Sequence, residues 1–257
     1  MKYASLLSYC SRCPKNYSEE PYYARMLMRS IKNDWPVPKR GTDQAALPLA
    51  SQYVASVAAS SDFDLSEFLG PRVALVPIPK SSPMTPGQLW VPMRLARELE
   101  RNGLGRVIDL LERVKPVSAS HLATAAADRP PPSEHFNSLR LKSSLLSPDS
   151  FDRITLVDDL ITRGSTMFGC QLRLRELFPG AKIVGFAAMR TISDPDEFRK
   201  ALDPVVGGDH RSFGLSRKGT SSTCTILGLA VKNGARERTE VPSAIFINLP
   251  LLTINEA

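Results

Sequence analysis

The segment that decides the fold reads ITLVDDLITRGST and covers residues 154–166. Its apolar opening predicts a short strand buried on both faces, as in a parallel sheet covered by helices. Two adjacent carboxylates, Asp158 and Asp159, follow this strand directly. A turn with Thr162 and Gly164 then leads into a helix predicted over residues 167–177. This order of strand, acid pair, turn and helix begins a parallel βαβ unit, which a strand over residues 182–189 completes.

The rest of the chain supports an α/β fold, a parallel sheet flanked by helices. Further strands are predicted at residues 73–76, 107–111, 226–231 and 244–249, and helices at residues 18–33, 44–60 and 89–103. A loop is predicted at residues 116–132, which are rich in Ser, Ala and Pro. The two early helices predict an N-terminal helical appendage over residues 1–68, followed by an α/β domain over residues 69–257.

Composition favours a globular chain, with 42% apolar and 23% charged residues. No apolar run reaches the length of about 18 residues that a membrane span needs, so we expect a cytoplasmic protein with no membrane partner. The net charge is +7, and the basic excess is concentrated in residues 1–40 and 211–240. Such ends suit anionic ligands from phosphorylated metabolites to nucleic acid, although an ordinary basic surface explains them equally well.

Four cysteines raise the question of a metal site. Cys10 and Cys13 form one C-x-x-C, but no second one follows, and the three histidines are remote in sequence. A structural zinc site usually needs four ligands, so reduced thiols are favoured and metal binding at this pair stays open.

The loop after the strand at residues 154–157 carries groups suited to a sugar phosphate. Carboxylates such as Asp158 and Asp159 accept hydrogen bonds from a vicinal diol. Backbone N–H groups at a helix N-terminus form an anion site, where Gly164 permits close approach. Hydroxyl donors come from Thr162, Ser165 and Thr166. The alternative is an ordinary turn with a helix cap.

As a whole, this stretch resembles the 13-residue signature of type I phosphoribosyltransferases and is most similar to that of ComF-like proteins. The resemblance implies the type I phosphoribosyltransferase fold and binding of 5-phosphoribosyl-1-pyrophosphate. It implies that Asp158 and Asp159 hold the ribose, with Mg²⁺ bound via the ribose hydroxyls or water. It assigns the 5′-phosphate to the loop residues Thr162, Arg163, Gly164, Ser165 and Thr166.

A second stretch, LVPIPK at residues 75–80, resembles the Val-Pro-x-Pro segment of ComF-like proteins. This resemblance implies that Lys80, Ser81 and Ser82 donate to the pyrophosphate. Residues 127–129 and 135–137 resemble the family's substrate-covering loop only loosely, so Arg129, His135 and Asn137 are interpreted as solvated loop residues. Arg163 replaces a usual Thr, and a guanidinium can still bind phosphate bidentately.

Two functions remain open from the sequence. One is an enzyme that transfers the phosphoribosyl group to a nitrogen acceptor and releases pyrophosphate, which the intact acid pair favours. The other is a binding or regulatory protein acting in DNA uptake, nucleic-acid handling or defence against foreign DNA, which the basic ends favour. The sequence does not identify the acceptor or the pathway, and it leaves open whether the chain forms a homodimer.

Overall fold

The computed structural model describes residues 1–13, 19–39, 42–118, 130–142, 151 and 153–208. Three predicted features therefore lie outside the described residues: the late strands at 226–231 and 244–249, the basic segment 211–240, and most of the loop at 116–132.

Strands and helices alternate along the chain, and the bounds of both follow here in chain order. The strands are β1 (Lys2–Cys10), β2 (Pro36–Lys39), β3 (Thr42–Ala45), β4 (Val73–Pro77), β5 (Arg106–Val107), β6 (Leu111–Arg113), β7 (Leu139–Leu141), β8 (Arg153–Ile161), β9 (Lys182–Ile192) and β10 (Leu202–Gly208). The helices are α1 (Glu19–Asn33), α2 (Ala46–Ala59), α3 (Val91–Arg101), α4 (Pro132–Asn137) and α5 (Ser165–Arg175), with a 3₁₀ turn at Pro195–Glu197.

A six-stranded sheet forms the centre of the molecule, in the order β10-β1-β9-β8-β4-β5. Every neighbouring pair in it is parallel except β1 and β10, which pair antiparallel at one edge. Two short hairpins, β2-β3 and β6-β7, lie outside this sheet. The α/β architecture with a mostly parallel sheet flanked by helices is thus confirmed.

Both faces of the sheet are covered by apolar side chains. On strand β4, Val73 and Leu75 join the core formed with α1, α2 and α3, whereas Ala74 and Val76 join the core formed with α5 and the β6-β7 hairpin. All five residues of β4 are buried. This two-sided burial explains why the strand appears in the sequence as an unbroken apolar run.

The N-terminal segment contains the two expected helices but also contributes strand β1, which was not predicted. Strand β1 lies inside the sheet, between β9 and β10. Its apolar pattern is interrupted by Ser5 and Ser8, which are nonetheless fully buried. The Ser5 hydroxyl donates to the Leu7 carbonyl at 3.0 Å, and that of Ser8 donates to Asp203 at 2.9 Å. Hydrogen bonds therefore let polar residues occupy a core strand that the apolar pattern does not reveal.

Two strand predictions need correction in their bounds. Strand β8 continues beyond the predicted residues 154–157 to Ile161, and it includes the acid pair. The strand predicted at 107–111 splits instead, because β5 ends at Val107 and Leu111 begins β6 in a separate hairpin. Elsewhere, the helices begin and end close to the expected positions. In the described ranges, no helix has both the length and the apolar character needed to cross a membrane.

Candidate functional site

The predicted site residues come from two neighbouring strands, β4 and β8, at the carboxyl edge of the sheet. Pro77 and Val157 are partners in the parallel register, and the Ile78 N–H donates to the Val157 carbonyl at 2.9 Å. The segment leading to Lys80 therefore leaves the sheet beside the last residues of β8, where Asp158 and Asp159 lie. This edge is where open α/β sheets bind ligands.

The acid pair belongs to the last residues of strand β8. Asp158 is the register partner of Ala187, and its carboxylate accepts a hydrogen bond of 2.9 Å from the Asp159 N–H. Burial raises the pKa of Asp158 well above its usual range, although the residue keeps some accessible surface, and the charge of Asp159 raises it further. The positive charge of Lys32 acts weakly in the opposite direction. The charged form of Asp158 is therefore destabilised, so a cation or hydrogen-bond donor that stabilises this form would bind favourably here.

The turn after β8 begins helix α5 with a left-handed residue. Gly164, at φ +69°, occupies the N-cap position and supplies no side-chain cap. The Phe168 N–H makes the helical bond to the Gly164 carbonyl at 2.8 Å, so the N–H groups of residues 165–167 precede that bond. Thr162, Arg163, Ser165 and Thr166 are all half-buried here. The uncapped start of a helix next to half-buried hydroxyl groups is chemically suited to an anion.

Hydrogen bonds from β6 and from the segment after it hold the segment that follows β4. The Lys80 carbonyl accepts a 2.8 Å hydrogen bond from Nε of Arg113, and the Ser81 carbonyl accepts one of 2.8 Å from the Val117 N–H. Lys80 is half-buried and Ser81 is exposed. The backbone carbonyl groups of both residues are thus bonded to the protein, whereas their side chains retain solvent access.

His135 corrects the interpretation of its segment as solvated loop. It lies in helix α4, is 3% exposed, and its Nε2 is 3.4 Å from Oγ1 of Thr166. Burial lowers the pKa of His135 to about 4, and the nearby charge of Arg113 lowers it as well. The imidazole is therefore neutral at neutral pH. Asn137 is exposed, as expected, and Arg129 lies outside the described residues.

Sequence analysis missed Arg113, which connects Lys80 to His135. Its Nη1 atom lies 3.3 Å from the His135 carbonyl and also donates to the Ser138 hydroxyl. Arginine is rarely buried, and no periodicity around residue 113 marks it as an interior position. The nearby Cys170 is not a candidate nucleophile, because burial raises the pKa of its thiol to about 12.

Cys10 and Cys13 lie at the same edge of the sheet, where β1 ends. They form a disulfide, so the expectation of reduced thiols is wrong. Both residues are buried, and the Cys13 N–H donates to Sγ of Cys10 at 2.9 Å. The turn between them brings the sulfurs together, which a C-x-x-C spacing permits but does not require. Among the described residues, no group of three or more His, Cys, Asp and Glu side chains could hold a metal ion.

Comparison with known proteins gives little beyond the fold described above. No family model and no curated protein matches the chain. Two solved structures, described as the glutamine and the glutamic acid mutants in an analysis of an invariant aspartic acid in HPRTs, share 11% identity with it. Each alignment covers 70% of this chain and 91% of the other, with a TM-score of 0.29.

Proposed function

We propose that this protein is a ComF-like type I phosphoribosyltransferase that binds 5-phosphoribosyl-1-pyrophosphate between the segments that follow β4 and β8. The supporting observation is the arrangement of residues 158–166: a partly buried acid pair, then a left-handed glycine, then an uncapped helix start. A vicinal diol and a phosphate are the two groups that such an arrangement would recognise together. Both belong to one phosphoribosyl ligand.

Each predicted residue has a proposed role in binding. Asp158 and Asp159 accept hydrogen bonds from the ribose hydroxyls. The loop from Thr162 to Thr166 surrounds the 5′-phosphate with hydroxyl groups, backbone N–H groups and the Arg163 guanidinium. The Lys80 ammonium and the Ser81 hydroxyl, which both keep solvent access, approach the pyrophosphate from the neighbouring strand.

Magnesium is the cofactor that this arrangement would accept. Two adjacent carboxylates fit Mg²⁺, which typically takes one or two protein carboxylates and completes its shell with water and substrate oxygens. The ion would offset the charge of the pyrophosphate when bound. Asp158 and Asp159 would then position both the ribose and the ion, while Lys80 would stabilise the departing pyrophosphate.

The proposed reaction is displacement of pyrophosphate from C1 of the ribose by a nitrogen nucleophile. The bond from C1 to the pyrophosphate oxygen breaks with its electron pair on the departing pyrophosphate, a C1–N bond forms, and the acceptor nitrogen gives its proton to water or to the pyrophosphate. Since Cys170 stays protonated and His135 is neutral and buried, neither is assigned a covalent role. The function of this chain's residues is to bind, orient and stabilise charge.

Thermal unfolding with and without 5-phosphoribosyl-1-pyrophosphate and Mg²⁺ tests the binding step. A ligand that binds only the folded protein raises the melting temperature by mass action. Ribose, ribose 5-phosphate and inorganic pyrophosphate, each with Mg²⁺, separate the contributions of the sugar and the two phosphate ends. We expect the complete ligand to give the largest shift, and no shift at millimolar ligand would exclude the proposal.

Pyrophosphate release in a panel of nitrogen acceptors tests the transfer step separately. Wild-type protein should release pyrophosphate with at least one acceptor, and a variant with both Asp158 and Asp159 changed to Asn should not. The matched control is Asp196→Asn, at an exposed carboxylate in the 3₁₀ turn after β9. Binding without release for every acceptor would support a binding or regulatory protein instead.

A further inference from the structure

Arg113 is a buried cation at the base of the proposed site. The residue is 4% exposed, and among the described residues its guanidinium bonds only to neutral oxygens. Nε donates to the Lys80 carbonyl at 2.8 Å, and Nη1 bonds to the Ser138 hydroxyl and to the His135 carbonyl. Nη2 is buried and has no hydrogen-bond partner within the described part of the chain. One side chain thus reaches the segment after β4 and the end of helix α4.

Helix α4 continues this connection to the phosphate loop. It packs against α5 at Gly169, where an added Cβ would lie 2.6 Å from Cβ of His135. The His135 ring reaches Thr166 at 3.4 Å. Arg113, His135 and Thr166 therefore form a continuous path of contacts from Lys80 to the start of α5, which are the two segments that would hold opposite ends of the ligand.

The charge of Arg113 has no bonded carboxylate among the residues that the structure describes. The adjacent acid on the hairpin, Glu112, pairs with Arg140 at 2.6 Å instead. Isolated buried charge is unfavourable, and burial lowers the pKa of Arg113, but a guanidinium remains protonated. Arg113 also lines a groove of about 480 Å³ together with Pro79 and Trp90. An anion bound in this groove, beside Pro79, would supply the missing negative charge.

We propose that Arg113 is a positioning residue, which fixes the segment after β4 relative to the Thr162–Thr166 loop and whose buried charge is balanced by the phosphate groups of the bound ligand. Balance of the Arg113 charge by a bound ligand, the ligand role, rests on the proposed function. Fixing the two segments relative to each other, the mechanical role, does not, because the contacts from Lys80 to Thr166 are made by protein atoms alone. The two roles can therefore be measured separately.

The decisive variant is Arg113→Met, which removes the charge but keeps an elongated apolar side chain. The Lys80 carbonyl loses its donor, whereas the Ser138 hydroxyl and the His135 carbonyl lose one partner each but stay bonded to each other at 2.7 Å. Lys80 is half-buried, so water can replace the lost donor. We therefore expect a ligand-free melting temperature close to that of wild type. Arg101→Met is the matched control, because Arg101 is largely exposed on α3 and pairs with Glu98.

Hydrogen exchange in the absence of ligand measures the mechanical role. Arg113→Met should speed amide exchange at Ile78, Val117 and Phe168, whose N–H groups bond to the Val157, Ser81 and Gly164 carbonyls, whereas Arg101→Met should not. Titration with 5-phosphoribosyl-1-pyrophosphate and Mg²⁺ measures the ligand role. Affinity should fall about tenfold or more in Arg113→Met, as expected for a lost charge-assisted interaction, and recover in part in Arg113→Lys.

Each result decides one part of the proposal. Unchanged exchange at all three amides in Arg113→Met overturns the mechanical role. Faster exchange with unchanged affinity overturns the ligand role and leaves Arg113 as a structural residue. If wild-type protein does not respond to the ligand at all, the proposed function fails and the ligand role fails with it, while the exchange data still decide whether Arg113 connects the two segments.

Discussion

The Thr166 hydroxyl lies 3.4 Å from Nε2 of the buried His135, and this contact joins the first turn of helix α5 to helix α4. The His135 ring has no described hydrogen-bond partner at Nδ1, so its one polar contact is with Thr166. If Nε2 carries the proton and donates, the threonine hydroxyl remains able to donate to a phosphate. Helix α4 thereby determines the orientation of a side chain in the proposed site.

The packing between α4 and α5 depends on Gly169. Gly169→Ala should destabilise the protein by about 1 to 3 kcal/mol, because an added Cβ would also meet the Pro132 carbonyl at 2.8 Å. It should weaken ligand binding too, since the two helices must separate. Gly180→Ala is the control, because a Cβ at that position meets nothing within 4 Å. Urea unfolding of both variants measures the difference, and equal stabilities would contradict the described packing.

The neutral state of His135 predicts a pH dependence of folding. Its pKa falls from 6.5 to about 4 in the folded protein, so between these values the unfolded chain binds a proton that the folded protein does not. The stability linked to His135 is thus complete above about pH 6.5 and is lost as pH falls towards 4. His135→Gln should show a smaller loss over this range, measured by urea unfolding at several pH values. Parallel curves for the two proteins would mean that His135 titrates normally.

The raised pKa of Asp158 predicts a pH dependence of folding stability that is opposite to that of His135. Its folded pKa lies above the ordinary carboxyl value of 3.8, so folding stability falls as pH rises between those two values. Asp158→Asn should therefore raise the ligand-free melting temperature at neutral pH and leave it nearly unchanged in acid. Asparagine can still accept the hydrogen bond from the Asp159 N–H. A variant that is much less stable at neutral pH would show that the carboxylate has a structural role.

Removal of both carboxylate charges should weaken ligand binding. Changing Asp158 and Asp159 together to Asn should reduce affinity for 5-phosphoribosyl-1-pyrophosphate by roughly 1 to 3 kcal/mol for each charged hydrogen bond lost. Calorimetric titration measures this loss, and Asp196→Asn should leave affinity unchanged. If the single variant Asp158→Asn is more stable and binds more weakly, Asp158 is a residue whose buried charge serves the ligand.

The sequence predicted those elements whose burial is visible as apolar runs. Strands β4 and β9 and helix α5 were placed correctly because their core residues are apolar and their ends carry turn signals. Strand β1 was missed because Ser5 and Ser8 are buried with their hydroxyl groups bonded. The local pattern does not report bonds to distant residues such as Asp203, and tertiary structure alone brings those partners together.

The site follows the same division. Residues 158–166 and Lys80 could be proposed because each lies in a short segment whose side chains suit a phosphoribosyl ligand. Parallel pairing of β4 with β8 places both segments at one edge of the sheet. Arg113 and Ser138 could not be predicted, since the contacts of Arg113 span 22 to 33 residues and depend on a hairpin outside the main sheet. His135 was misjudged for the same reason: its burial results from packing against α5 and leaves no mark in the sequence around it.

The disulfide between Cys10 and Cys13 predicts how many free thiols the protein has before and after reduction. Cys170 is free and buried, and Cys224 lies outside the described residues, so Cys224→Ser provides a simpler background. Alkylation of this variant, unfolded without reductant, should label one thiol, and prior reduction should raise the count to three. In the chain-entropy account, closing so short a loop stabilises the fold by about 2 kcal/mol, so reduction should also lower the melting temperature of the folded protein. Mass spectrometry gives the count directly. Three labelled thiols before reduction would show that Cys10 and Cys13 are reduced. Both thiols would then be able to bind a metal ion.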